Sequence, residues 1–466
     1  MTASTRPSRG TVHANSGRLA GFVVAALRCR FYPAVLQWLT SATFLVVLVS
    51  ALLGPNNSGQ NLGMVLVWAA WWPLLPWSFL VAGRHWCAVC PFSWLTDVVQ
   101  RRVGVHLPAP RVLQRGESWV IAGAFLAVTF VDEAWRLGED ARRTAYLLLV
   151  LIAAVVFFAA FFERRTFCRY LCFIGAFARN YSRAGLVQLR AASSRCESCC
   201  TPSCHDGTVR TPGCPAFLYV PRIEDSGTCH LCGQCVKNCP RDAIRVSFRP
   251  PTAELWDLRD PQFADGVMAA ILAGVVLIEQ AGLLRRWVPL VETTGATLRV
   301  DPYVWYPLVY GVLLAAFILA PLLGLGLAGL LSQALAGGVA RMGVAANVAR
   351  FGPAMIPLAL ASHLAYGCHV LLTRSRSLPA AAMAVAGWFP AGTSIAAWCS
   401  TSVILWIEIA ILAAGGAGSL YVGYRLATVR AGTRSGIAFL PHAAVLLLLL
   451  ASNVYVVSAV LREAGP

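Results

Sequence analysis

The sequence predicts a mainly α-helical protein that crosses a membrane about nine times and carries one polar, cysteine-rich insertion. Three observations lead there. Of 466 residues 58% are hydrophobic and 13% charged, and the mean hydropathy of +0.64 lies well above that of an average soluble domain. Apolar runs long enough to span a bilayer recur near 34–53, 62–82, 118–137, 144–162, 264–283, 303–331, 351–372, 395–420 and 437–461. Between the fourth and fifth runs, nine of the sixteen cysteines fall within the 45 residues from Cys196 to Pro240. Three units follow: a four-helix membrane region over 1–195, a cysteine-rich domain over 196–250, and a five-helix membrane region over 251–466.

The chain opens with a polar tail holding Arg6, Arg9, Arg18, Arg28 and Arg30. It leads into the first apolar run without a clear small-residue cleavage site, so that run is expected to remain as a span. Leaving out 163–262, because long domains count little in the positive-inside rule, 15 Lys and Arg lie on the N-terminal side of the membrane and 9 elsewhere. The N-terminus and the insertion are therefore expected in the cytoplasm, and the C-terminus outside. The net charge of +17 is spread over loops beside apolar spans. Anchoring to anionic lipid accounts for it better than nucleic acid, for which no motif is present.

The first four spans carry a weak internal repeat. The first hairpin ends in GRHWCAVCPFSWLTDVVQRR and the second in ERRTFCRYLCFIGAFARNYSR, each delivering a cysteine pair to its cytoplasmic end. Packed side by side, the hairpins would bring Cys87, Cys90, Cys168 and Cys172 together as one redox unit, either a further metal centre or a dithiol. Phe173 after the second pair, where the first has Pro91, is expected to change the turn there.

The insertion ends in CHLCGQCVKNCP, the C-x2-C-x2-C-x3-C-P run that holds a [4Fe–4S] cluster. Zinc would more usually show two separated C-x2-C pairs. The preceding CESCCTPSCHDGTVRTPGCP is a stretched form of the same module, so the domain is expected to be ferredoxin-like with two [4Fe–4S] clusters. The fourth cysteine of each run reaches the other cluster. One ligand set is then Cys214, Cys229, Cys232 and Cys235, the other Cys196, Cys199, Cys204 and Cys239. Nine cysteines for eight places leave either Cys199 or Cys200 spare, and choosing Cys199 as ligand keeps the two-residue spacing. Clustering at metal-ligand spacings points to a reducing compartment rather than a disulfide framework.

After the proline-broken linker RVSFRPPTAELWDLRD, the last five spans hold His363, His369, Glu408 and His442. Only His363 and His442 lie at depths where they could meet, so a haem is a poor expectation; a quinone pocket using His363 or Glu408 is a better one. Cys368 and Cys399 read as packing residues.

Over about 80–250 the chain resembles the membrane polyferredoxins of the NapH and NosR type and the related protein of cytochrome oxidase maturation. GRHWCAVCPFSWLTD looks like that family's first Cys-Pro motif and RTFCRYLCFIGAF like its second, with Phe173 in place of proline. The five C-terminal helices match no part of that family. The resemblance implies electron transfer between a quinol or soluble reductant and a respiratory or assembly partner. Cysteine-saturated clusters leave no open site for substrate chemistry, and no glycine fingerprint for a nucleotide cofactor is present, so a carrier or oxidoreductase subunit fits better than a stand-alone enzyme. The competing readings are a cupric or other metal-ion reductase and a redox sensor.

Overall fold

A computed structural model describes residues 17–192, 195–196, 199, 201–209, 211–257, 260–336, 342–385, 398–431 and 435–464. Among them eight helices are long and apolar enough to cross a membrane: Ala34–Leu53, Leu62–Ala82, Ala141–Phe161, Phe263–Gly282, Pro302–Ala336, Val344–Arg374, Thr401–Val429 and Ser435–Glu463. The protein is a mostly helical, multi-pass membrane protein. The other run counted in the sequence, near 118–137, is the helix Glu117–Ala134, set apart from the eight by Glu117, Asp132 and Glu133.

Phe263–Gly282 and Val344–Arg374 form the centre of the membrane region, with 78% and 72% of their spanning stretches buried, against 17% for the peripheral Ala34–Leu53. They cross where a Cβ on Gly352 would stand 2.4 Å from the Gly266 Cα, so only glycine admits this approach. The span Leu62–Ala82 starts at Asn61, whose side chain accepts from the Met64 N–H. It then widens into a π-helix over Val65–Trp71 before returning to α geometry at Trp72.

The insertion is closed by two antiparallel strands, β1 (Val187–Ala191) and β2 (Ile244–Phe248), with Leu189 opposite Val246. Alternation turns Val187, Leu189, Ile244 and Val246 inward, where they meet Val220, Leu231 and Val236. The same core takes Leu27 from the helix Arg18–Arg28, within a stretch the sequence reads only as a polar tail. Leu27, Val23 and Val24 of that helix pack on the insertion, while Leu19 and Phe22 stay exposed.

Candidate metal centres

Both membrane hairpins end in the same way. Arg84 precedes a one-turn helix, His85–Val89, that carries Cys87, and Cys90 then caps the helix Pro91–Val103. Arg165 precedes Thr166–Tyr170, which carries Cys168, and Cys172 caps Phe173–Ala184. Cys90 (φ −60°, ψ 137°) and Cys172 (φ −69°, ψ 113°) share one backbone conformation, so Phe173 does not change the turn as expected. The physical reason lies at the first helical position, whose N–H has no intrahelical partner; proline is tolerated there without being required. The four thiols converge. Burial pushes Cys90 up to about 12, with Cys168 and Cys87 next to it adding to the rise, and burial likewise lifts Cys172, with Cys168, Cys87 and Cys90 beside it.

In the insertion, Cys214, Cys229, Cys232 and Cys235 make a second group. Burial raises Cys229 to about 12, opposed by the Leu231 N–H and reinforced by Cys232 and Cys214. Burial also raises Cys235, with Cys229, Cys232 and Cys214 as neighbours. Leu231 and Gly233 take left-handed φ values of 52° and 74°, which wraps the backbone about these thiols. At Gly233 a Cβ would also strike the Leu27 carbonyl at 2.6 Å, so the N-terminal helix needs glycine there as well.

The third group, Cys196, Cys199, Cys204 and Cys239, lines one small cavity closed by Tyr219, Val220 and Ile244. Cys239 Sγ accepts from the Ala243 N–H at 3.3 Å. Cys200 lies outside the described residues.

These surroundings fit an iron–sulfur core. Four neutral thiols gain nothing from mutual burial, whereas a cationic core replaces their protons and turns the clustering to advantage. Among the described residues no three His, Cys, Asp or Glu side chains are grouped to hold a single metal ion.

Fixed positive charge lies between the hairpin thiols and the second group. Arg84 and Arg165 each stand three residues before the first cysteine of a hairpin, and both are buried. Arg84 Nη1 donates to the Gly227 carbonyl at 2.6 Å. Arg165 Nη2 donates to Asp97 Oδ2 at 2.7 Å, while its Nε and Nη1 find no acceptor, and its charge acts on both Cys168 and Cys232. Burial pushes the Asp97 carboxyl up, but Arg165 and Arg164 more than offset this and hold it at about 2. His230, buried beside Arg84 and Arg165, is kept well below the ordinary histidine range by burial and by those charges. From the other side Tyr32 Oη donates to the Leu231 carbonyl at 2.7 Å, and Lys237 reaches the Tyr32 carbonyl. The sequence reading missed these partners, although the matched Arg-x-x-Cys spacing of the two hairpins was there to be read.

A cleft of about 970 Å³, lined by Arg164, Arg165, Lys237, Cys214 and Cys232 among others, opens beside the second group. The C-terminal candidates are dispersed. His363 Nδ1 lies 2.7 Å from Tyr181 Oη, His369 Nδ1 3.1 Å from Glu408 Oε1, and His442 Nε2 3.0 Å from Asn347 Oδ1, so His363 and His442 do not meet. The cavities touching His363 and Glu408 hold only about 10 Å³ each.

Known proteins bear on these groups directly. One sequence model described as a 4Fe-4S binding domain matches residues 223–245, and a second of the same description matches twice, at 64–110 and 144–190. The chain carries 4Fe–4S binding domains. Two matches of one model to the two hairpins also bear out the internal repeat. The methylamine utilization ferredoxin-type protein MauN of Methylorubrum extorquens is 30% identical over 149 residues, 28% of this chain and 51% of the relative. MauN of Paracoccus denitrificans is 29% identical over 147 residues, 28% of this chain and 52% of the relative. An uncharacterized protein of Methanocaldococcus jannaschii is 24% identical over 171 residues, 36% of this chain and 65% of the relative. The chain thus spans between half and two thirds of the length of these relatives. No solved structure matches it significantly. These matches make the chain similar to iron–sulfur, ferredoxin-type proteins.

Proposed function

We propose that the chain carries electrons between the quinone pool, or a soluble reductant, and a respiratory or assembly partner that meets the insertion. The observation that carries this reading is the convergence of cysteines in three groups, with arginines between the first and second. Cys214, Cys229, Cys232 and Cys235 would hold one [4Fe–4S] cluster, and Cys196, Cys199, Cys204 and Cys239 another. Cys87, Cys90, Cys168 and Cys172 would hold a third centre, and the double family match to the hairpins favours iron–sulfur over a dithiol there. Such clusters, when bound, take up and release single electrons.

The chain's own part is to exclude water and fix charge. Packing by Phe92, Val155 and Phe167 limits solvent at the half-buried Cys90 and Cys172, Arg84 and Arg165 supply positive charge to Cys168, and Arg165 supplies it to Cys232 as well. The arginine distribution supports a cytoplasmic insertion and N-terminus, which reporters fused after Arg245 and Pro466 would test; activity of the Arg245 fusion on the outer side overturns the orientation.

Replacing Cys90 with Ser tests the path. Electron flow between a membrane quinol and the insertion should stop while both clusters of the insertion keep their EPR signals. Transfer at the wild-type rate in that variant removes the hairpin cysteines from the path. Reduction of cupric ion with turnover would instead favour the metal-ion reductase.

A further inference from the structure

An apolar cavity of about 440 Å³ lies among the helices Ala34–Leu53, Leu62–Ala82, Glu117–Ala134, Ala141–Phe161 and Phe263–Gly282. That volume falls within the range of small-molecule sites, unlike the cavities at His363 and Glu408. Its walls are hydrocarbon and indole, yet two carboxylates face it, Asp132 and Glu279, and so does Cys90 of the membrane-edge thiol group. Resting on the electron-carrier reading above, we propose that this cavity is the binding site for a lipid-soluble quinone, with Trp71 and Trp86 as hydrogen-bond donors to its head group and Asp132 and Glu279 as the acceptors of its protons.

Three features support that occupant over a lipid tail. The first is unsatisfied donors. Trp68 donates its indole N–H to Thr144 Oγ1 at 3.2 Å, but the indole N–H groups of Trp71 and Trp86 are buried without an acceptor, their rings 5.5 Å apart at the wall of the cavity. A buried donor left unpaired costs about 1–3 kcal/mol; a quinone carbonyl supplies the missing acceptor and an acyl chain does not. The second is the carboxylates, which are expensive in a membrane and mark sites where protons or ions are handled. Glu279 Oε2 has no hydrogen-bond partner and stands 3.8 Å from His363 Nε2, which is equally unpartnered. His363 Nδ1 in turn faces Tyr181 Oη on the helix that starts after Cys172, so a proton taken by Glu279 has a polar neighbour to move to. The third is position: the same cavity that holds the carboxylates reaches Cys90.

The chemistry balances on these groups. Oxidation of a quinol breaks two O–H bonds and leaves two C=O bonds; the two protons go to the Asp132 and Glu279 carboxylates. The two electrons leave singly to the iron–sulfur acceptor proposed at the membrane-edge cysteines, and quinone reduction is the reverse.

The test uses the full-length protein in lipid nanodiscs with an azido-ubiquinone photolabel, mapped by mass spectrometry, with iron content measured on every sample. Label is expected on peptides within 62–92 and 117–134, competed by unlabelled decylubiquinone. Ala70→Trp, which fills the cavity, should abolish labelling, and Trp71→Phe with Trp86→Phe should weaken competition about tenfold, as loss of one or two hydrogen bonds implies. In Glu279→Gln, the quinone-dependent carboxyl band in the infrared difference spectrum should lose intensity although iron content holds. Labelling confined to other helices, or undiminished in Ala70→Trp with iron intact, overturns the site. Failure of the carrier reading looks different: dithionite would then give no cluster EPR signals in the wild type, whatever the quinone does.

Discussion

The thiols of Cys229 and Cys232 lie near Tyr32, and Lys237 and Arg165 act on Cys232, whereas Cys199 is half-buried, its Sγ 3.3 Å from the Thr201 carbonyl. Both groups come from one insertion and one kind of motif. Arg164 and Arg165 of a membrane hairpin, with Lys237 of the insertion, bring positive charge to the first; the second is lined by Arg195 and Arg241 of the insertion alone. Because the potential of an iron–sulfur centre depends on nearby charge, hydrogen bonds and solvent exposure, two clusters held as proposed would differ in potential. On that reading the inner group exchanges electrons with the hairpins and the outer one with the partner.

The contrast is tested most severely at the inner group. Cys235 is 8% exposed and belongs to the hydrophobic core that joins the strands to the N-terminal helix. Cys235→Ala should therefore remove about half of the insertion's iron and also lower the thermal transition and release the helix Arg18–Arg28, read as new proteolysis near Arg28. Loss of iron with an unchanged melting profile would mean that the inner centre does not organise the fold.

Next comes Asp97, which holds Arg164 and Arg165 at 3.0 and 2.7 Å and is 12% exposed. Asp97→Asn leaves Arg165 buried without its counter-charge and should cost about 3 kcal/mol at pH 7. The sign with pH follows from a carboxyl held at about 2 against the usual 3.8: the stabilisation, about 2 kcal/mol, is complete above about pH 4 and lost as pH falls through about 2. Unfolding of the wild type and the variant at pH 6 and pH 2, compared by circular dichroism, should converge at the lower pH.

A smaller effect is expected at the outer group. Cys199→Ala should erase one cubane signal and leave the other, with the melting temperature changed little, while Cys200→Ala should alter neither. The reverse outcome would make Cys200 the ligand. The least effect belongs to Arg28→Ala, which breaks a pair with Asp242 whose partners are 46% and 53% exposed. A change below about 1 kcal/mol in urea unfolding is expected, as for other surface pairs.

Much of this contrast was legible beforehand and part was not. The spacing of Cys229, Cys232, Cys235 and Cys239 announces cluster chemistry because thiolates must wrap a core at short, fixed intervals, and the apolar runs announce spans because the bilayer sets their length. The convergence of Cys87, Cys90, Cys168 and Cys172 was readable from the repeated hairpin. Neither the helix Arg18–Arg28 nor the Arg165–Asp97 pair was, since both depend on tertiary packing between segments 68 to 214 residues apart. Glu279 escaped notice for a similar reason. With Asp265 it is one of two acidic residues in an apolar helix, and only the packing of five helices gives it a cavity to face.

The π-helix at Val65–Trp71 has a consequence for insertions and deletions in the gene. A π turn holds an extra residue within the helix, and one residue corresponds to roughly 100° of rotation. Removing a single residue inside it, such as Ala70, would let the segment close to α geometry with both flanks in register, so that Asn61 keeps its bond to the Ser50 carbonyl at 2.7 Å. A deletion elsewhere in the span has no such reserve and turns everything beyond it by about 100°. This span should therefore tolerate the loss of one residue within Val65–Trp71 and reject the same loss at its other turns.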